Sequence, residues 1–279
     1  MGRLKIVYPV CCGMDVHRDF LIACIAATNA QGVTEYQSRR FSTYTGSLRE
    51  LRDWLLANDC KDVCMESTGK YWFPVHNILE ESCHVVVSHP KFVKAIKGKK
   101  TDKKDAQWIA DLFKHDLVRG SFIPPKDIRQ LRDLCRYWVK LSSYMTGEKN
   151  RAQNCLTVSN FKLDDVFSNV FGKSASAITT QLLEHPGEQF DVAPFVDGRC
   201  KTPIAQIQEA VDGIFTYEQA EKLKIIRGHM DSLERHKAEL ESLILEIAQN
   251  YLPQIELLLT VPGIHDAFTA IRILAEIGA

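Results

Sequence analysis

The chain has 279 residues, 45% hydrophobic and 25% charged, with a formal net charge of zero, which is the balance of an ordinary soluble globular protein with one large core or two modest ones. Its nine cysteines are odd in number and lack a C-x-x-C pair, which argues against a disulfide framework or a zinc ribbon and for reduced, mostly buried thiols. The amino-terminal apolar run, broken by Pro9, is too short for a signal peptide or a membrane span, so the expectation is a cytoplasmic protein with no membrane partner.

Residues 4–14 run largely apolar and end at Asp15, the pattern of a buried strand that delivers a carboxylate at its end. F-L-I-A-C-I-A-A-T and V-T-E-Y-Q-S-R-R-F flank N-A-Q-G, which predicts a hairpin bent at Asn29 and Gly32. From Thr45 to Ala57, Leu48, Leu51, Trp54 and Leu55 fall at helical spacing. D-V-C-M-E then predicts a short strand ending at Glu66, and Ser67 and Thr68 are placed to cap a helix that starts near Tyr71 and carries Phe73, Val75, Ile78 and Leu79. In that stretch Tyr71 and Trp72 either stack on a base or fill the core. H-V-V-V-S-H-P predicts a fifth strand stopped by Pro90, and the periodic A-Q-W-I-A-D-L-F after Asp105 a further helix. Strands and helices in this order make a mixed sheet with helices on its faces.

Residues 128–156 form a long helical pattern with Arg129, Arg132, Arg136 and Lys140 down one side, either a solvated face or a track for phosphates. Between Asn160 and Gly213, Gly and Pro breaks predict short helices and loops. Tyr217–Tyr251 carries Leu223, Ile226, Met230, Leu233, Leu240, Ile244, Ile247 and Tyr251 in an a/d pattern interrupted by Lys237. That predicts a coiled coil, formed within the chain against the 128–156 helix or between chains. The tail L-L-L-T-V-P-G-I-H-D is similar to a helix-hairpin-helix turn, whose backbone N–H groups meet a phosphate, or is only a turn between two helices.

The chemistry concentrates in the first half. Residues 1–150 hold 24 Lys and Arg against 17 Asp and Glu, and the remainder 11 against 18, which points to nucleic-acid contact by the first half. In K-K-T-D-K-K-D, Asp102 and Asp105 sit three apart on one face of a helix start. Two such carboxylates suit Mg²⁺, and Lys97, Lys99, Lys100, Lys103 and Lys104 around them suit a polyanion. The plain alternative is a solvated helix start with acids at its positive end. With Asp15 and Glu66 from separate strand ends, four carboxylates are enough to seat two metals about 4 Å apart for phosphoryl transfer.

In this order and spacing, G-M-D-V-H, M-E-S-T-G-K-Y-W, H-P-K-F-V-K-A-I-K-G-K-K-T-D-K-K-D-A, N-R-A-Q-N-C-L and L-L-T-V-P-G-I resemble the transposases of the insertion-sequence-110 family over nearly the whole chain. The resemblance implies an RNase H-like (RuvC-like) α/β domain with a five-stranded mixed sheet over residues 1–125. There a D-E-D-D carboxylate set, matching Asp15, Glu66, Asp102 and Asp105, holds Mg²⁺ on a DNA phosphate. After it come a long basic helix and helical linker (126–214), a coiled coil (215–252) and the start of a C-terminal domain (253–279). The resemblance further implies DNA as substrate, an element-encoded structured non-coding RNA as guide, and a homo-oligomer held by the coiled coil. In the family a serine of the C-terminal domain attacks the DNA, but the last serine here is Ser242. The expectation is therefore a shortened transposase that keeps its metal site and lacks the nucleophile. The competing readings are a non-catalytic, self-associating nucleic-acid-binding remnant and a RuvC-like junction nuclease.

Overall fold

The structure is a computed structural model that describes residues 4–67, 69–93 and 102–278, without the side chains of Asp102 and Lys103. The chain divides into two compact units, Met1–Ile123 and Pro124–Ala279. Among the described residues no helix is long and apolar enough to cross a membrane.

The first unit is built on β1 (Val10–Val16), β2 (Phe20–Thr28), β3 (Thr34–Ser42), β4 (Asp62–Glu66) and β5 (His84–Ser88), ordered β3-β2-β1-β4-β5. β1 pairs antiparallel with β2 and β2 with β3, while β1 with β4 and β4 with β5 run parallel. This is the RNase H-like arrangement, a mixed sheet flanked by helices. β1 begins at Val10 rather than at residue 4, since Pro9 has no N–H for a ladder. At the hairpin, the Asn29 side chain accepts from the N–H groups of Gln31 and Val33, and Gly32 takes φ +82°, as the turn residues predict.

Period-2 alternation gives β1 two different faces. Cys12, Met14 and Val16 pack with Leu48, Leu51 and Leu55 of α1 (Thr45–Ala57) and with Trp72, Val75 and Leu79 of α2 (Trp72–Leu79). Val75 and Leu79 point inward as their spacing predicts, but Trp72 takes the inward aromatic place and Phe73 is left 40% exposed. Ser67 does not cap α2: its N–H donates to the Ser88 carbonyl, and Tyr71 at the N-cap makes no side-chain cap. Thr68, the other expected cap, lies outside the described residues. On the opposite face Cys11 and Cys64 pack with Ile109, Ala110 and Phe113 of α4 (Asp102–Lys114) and with Val93 of α3 (Pro90–Val93).

In the second unit, α5 (Lys126–Val158) and α9 (Tyr217–Ala248) pack as an antiparallel pair within the chain. Ile128, Leu131 and Cys135 meet Ile244 and Ala248 at one end, Leu141 and Met145 meet Leu233 and Leu240 in the middle, and Ala152 and Leu156 meet Ala220 and Leu223 at the other end. The polar intrusion in the heptads is accommodated: Lys237 Nζ lies 4.4 Å from the Trp138 ring centroid. Residues 160–213 form short helices joined by loops, as their Gly and Pro breaks predict. They hold α6 (Leu163–Val166), α7 (Lys173–Glu184) and α8 (Ile204–Ala210) around Phe161, Leu163, Ile178, Leu182 and Ile207. After α9 come α10 (Leu252–Leu259) and α11 (Ala267–Ile277).

Candidate active site

Asp15 is the penultimate residue of β1 and Glu66 the last of β4. The parallel ladder pairs Gly13 with Cys64 and Met14 with Met65. One residue further along each strand stand Asp15 and Glu66, on strands about 4.8 Å apart. By alternation Asp15 shares the face of Gly13 and Glu66 that of Cys64, which is the α4 face. Glu66 pairs on its other side with Ser88 of β5. The carboxylates thus meet at the carboxyl edge of three parallel-running strands, where sheets of this kind place their ligands.

α4 reaches that edge because Gly13 has no side chain. A Cβ there would stand 2.3 Å from both the Ala106 carbonyl oxygen and the Ala110 nitrogen, so only glycine lets the helix backbone lie on β1. The direction of α4 follows from its contacts. The N–H groups of Val7 and Tyr8 donate to the Lys114 carbonyl at 2.8 and 3.2 Å, the Cys11 thiol donates to the Ala110 carbonyl at 3.6 Å, and Gly13 lies against Ala106. Each step toward the carboxyl end of β1 is a step toward the amino end of α4. From Cys11 to Gly13 the strand rises about 6.6 Å, and from Ala110 to Ala106 the helix rises about 6 Å. The amino-terminal turn of α4, where Asp102 is the first residue and Asp105 is half-buried, therefore runs toward the level of Asp15.

Among the described residues no three of His, Cys, Asp and Glu gather closely enough to hold a metal ion. The backbone sets Asp15 and Glu66 side by side, whereas Asp105 does not join them in a three-ligand cluster. The side chains of Asp102 and Lys103, and Lys97, Lys99 and Lys100 as a whole, lie outside the described residues. Hard carboxylate oxygens on one face are the donor chemistry Mg²⁺ takes. The nearby thiols are not: burial pushes Cys11 and Cys64 up to about 12, so both stay protonated. All nine cysteines are free and eight are buried.

His17 is a neighbour of the acids that sequence pattern alone does not single out. Its Nε2 lies 3.2 Å from Asp15 Oδ2, and its ring packs at 4.7 Å on Phe20, which Arg40 covers at 4.0 Å. The signal was the spacing of two, which puts both side chains on one face of a strand end.

The arginine stripe of α5 is turned to other ends. Arg132 donates to the carbonyls of Ala275 and Glu276 at 2.7 and 3.2 Å, and so satisfies acceptors at the carboxyl end of α11. Arg136 grips the Glu276 carboxylate with two bonds of 2.7 Å, which lowers the pKa of Glu276 and raises that of Arg136. Arg129 donates to the Pro124 carbonyl at 2.8 Å. At the expected phosphate turn, the Asp266 carboxylate caps α11 through the Thr269 N–H and hydroxyl at 2.8 and 2.7 Å. Within the P-G bend itself the Ile264 N–H donates to the Val261 carbonyl at 3.1 Å, as in an ordinary turn between two helices.

A family model described as a transposase, of the insertion-sequence-110 DEDD type, matches residues 12–160, more than half of the chain. Among solved structures the chain is similar to Thermus thermophilus RuvC, with 14% identity, 40% of this chain and 99% of that one covered, and a TM-score of 0.33. It is also similar to T. thermophilus RuvC in complex with Holliday junction substrate, with 13% identity, coverage of 40% and 99%, and a TM-score of 0.30. Fowlpox virus resolvase in complex with Holliday junction DNA gives 14% identity, coverage of 37% and 72%, and a TM-score of 0.25. A search of the curated proteins gives no match.

Proposed function

We propose the following for a chain that belongs to the insertion-sequence-110 family of DEDD transposases: it acts on DNA as a transposase or site-specific recombinase, by phosphoryl transfer that depends on Mg²⁺ held by Asp15, Glu66, Asp102 and Asp105. The observation that carries the site is the register of β1 and β4, which brings Asp15 and Glu66 to neighbouring strand ends on the face where α4 lies. Bound there, Mg²⁺ supplies Lewis-acid polarisation of a phosphoryl oxygen and an activated nucleophile. The chain's own part is to hold oxygen donors on a rigid sheet edge, with His17 fixing one oxygen of Asp15.

In the same reading Lys97, Lys99, Lys100, Lys103 and Lys104 draw the DNA backbone toward the acids. The donors of Arg132 and Arg136 are engaged on α11, so they contribute little to that track. A structured RNA from the element serves as guide, in the cytoplasm, and a second copy of the chain completes the assembly. Because α5 fills the heptad seam within the chain, that copy docks away from the seam; Ile225 and Leu243, eighteen residues apart and so on one side of α9, stay exposed there.

Asp15→Ala and Glu66→Ala test the site in the full chain. Each should lower Mg²⁺-dependent DNA cleavage roughly a hundredfold or more while leaving the thermal transition and DNA binding in place. Hydroxyl radicals generated from Fe²⁺ in the Mg²⁺ site should cut the backbone near Asp15 and Glu66 in the wild type and not in either variant. Cutting elsewhere, or undiminished cleavage in both variants, removes the assignment.

A further inference from the structure

The carboxyl edge of the sheet carries a second feature beside the acids. Ser88, paired in register with Glu66 and fully buried, donates its hydroxyl to the Arg119 carbonyl at 2.9 Å, and it bridges Gly120. The Ser121 N–H donates to the Val87 carbonyl at 2.7 Å. Residues 119–121 are therefore bound to the outer edge of β5, and the Arg119 backbone is fixed one strand from Glu66. The chain leaves β5 into the single turn of α3, where Val93 is 3% exposed and packs with Ile109 and Phe113. Successive residues of a helical turn point about 100° apart, so Phe92, held by its buried neighbour, projects outward at 45% exposure. Arg119 lies 5.8 Å from the Phe92 ring centroid, and the His89 ring stands edge-on to it at 6.2 Å.

A single exposed ring has no meaning by itself. This one has a buried neighbour in Val93, a guanidinium over it and an imidazole edge-on to it, and it follows directly on the carboxyl end of β5, the strand beside Glu66. With the Arg119 guanidinium over one side of the ring, the part of Phe92 left exposed is the kind of surface single-stranded nucleic acid meets in its binding proteins: the ring takes a base and the cation a phosphate. In continuous duplex both faces of each base are already stacked, so such a platform has nothing to receive.

We propose that Phe92 and Arg119 form a stacking platform for an unpaired nucleobase next to the phosphate handled at Asp15 and Glu66, which makes locally unpaired DNA the preferred substrate. This rests on the transposase reading of the acid site and narrows its substrate class. Phe92 here decides specificity and takes no part in the chemistry.

The test measures affinity of the full chain, with Ca²⁺ in place of Mg²⁺, for a labelled continuous duplex and for the same duplex with a central unpaired stretch. The wild type should bind the second more tightly. Phe92→Ala should weaken that binding roughly five- to hundredfold and leave the continuous duplex within about twofold. Phe92→Tyr should keep the preference, and abasic sugars in the unpaired stretch should bring the wild type down to the Ala variant. A wild-type preference retained by a folded Phe92→Ala, or an abasic stretch that binds as well as a normal one, overturns the platform. In either case loss of Mg²⁺-dependent cleavage in Asp15→Ala keeps the acid site standing. A wild type that binds neither DNA overturns both. If Phe92→Ala unfolds, the abasic substrate and the Tyr variant decide.

Discussion

In the sheet unit the carboxylates of Asp15 and Glu66 stand at the ends of strands that pair in register, while in the helical unit Arg132 and Arg136 close on the carboxyl end of α11. Both groups are charged residues at regular spacing, and both are equally visible in the sequence. They differ in what the fold brings to them. A helix end carries carbonyls that need donors, so arginines facing one become part of the packing. A strand end at the carboxyl edge of a parallel sheet lies where such sheets place ligands, and the acids there are the ones proposed to hold the metal. The lesson is that charge spacing marks a face, and the neighbour across from that face decides its use.

The largest expected effect breaks the sheet half of this comparison. Gly13→Val drives a side chain into the α4 backbone 2.3 Å away, and should cost about 3 kcal/mol or more. Differential scanning calorimetry should show a lower melting temperature for the transition that unfolds the sheet unit. An unchanged melting temperature would mean that α4 does not lie on β1 as described. A smaller effect separates structural from DNA-binding arginines. Arg132→Ala leaves α11 carbonyls without donors and should destabilise the helical unit by about 1–2 kcal/mol. Affinity for DNA should stay within about twofold, and a drop of tenfold or more at unchanged folding would return Arg132 to the phosphate track.

The smallest effect concerns pH. Arg136 holds Glu276 below its ordinary 4.5, so the pair's stabilisation is complete above 4.5 and is lost as pH falls through the lower folded value. The carboxylate is 47% exposed, and solvent screening limits the effect to a few tenths of a kcal/mol. Arg136→Met should therefore lower the melting temperature slightly at neutral pH, and the gap from wild type should close in acid. A gap that persists once Glu276 is protonated would show that packing, rather than charge, holds Arg136.

Strands one to five were legible because alternation and short apolar runs bounded by turn residues leave few other choices, and α1 shows the four inward residues its spacing predicts. The heptads of α9 were equally plain, yet they are compatible with a partner inside or outside the chain, and the α5 pairing settled that point for this face. Residues 160–213 were obscured because their core joins Phe161, Ile178, Leu182 and Ile207, contacts too far apart in the chain for any local period to reveal. The inward aromatic of α2 was a choice between two adjacent residues, Trp72 and Phe73, and packing in the core shared with α1 takes Trp72. His17 was overlooked although its spacing from Asp15 was in view, since a histidine's partner is not written in its own period.

By itself the sequence determined the order of the five strands with α1, α2 and α4, the strand-end positions of Asp15 and Glu66, and the absence of disulfide and zinc motifs, because each follows from periodicity, turn chemistry or composition within a short window. Tertiary structure alone decided which acids stand side by side, that Gly13 is the seat of α4, that the α5 arginines serve α11, and that Phe92 and Arg119 share the edge of β5. These depend on strand register and on the approach of segments distant in the chain, where a shift of one residue turns a side chain to the opposite face.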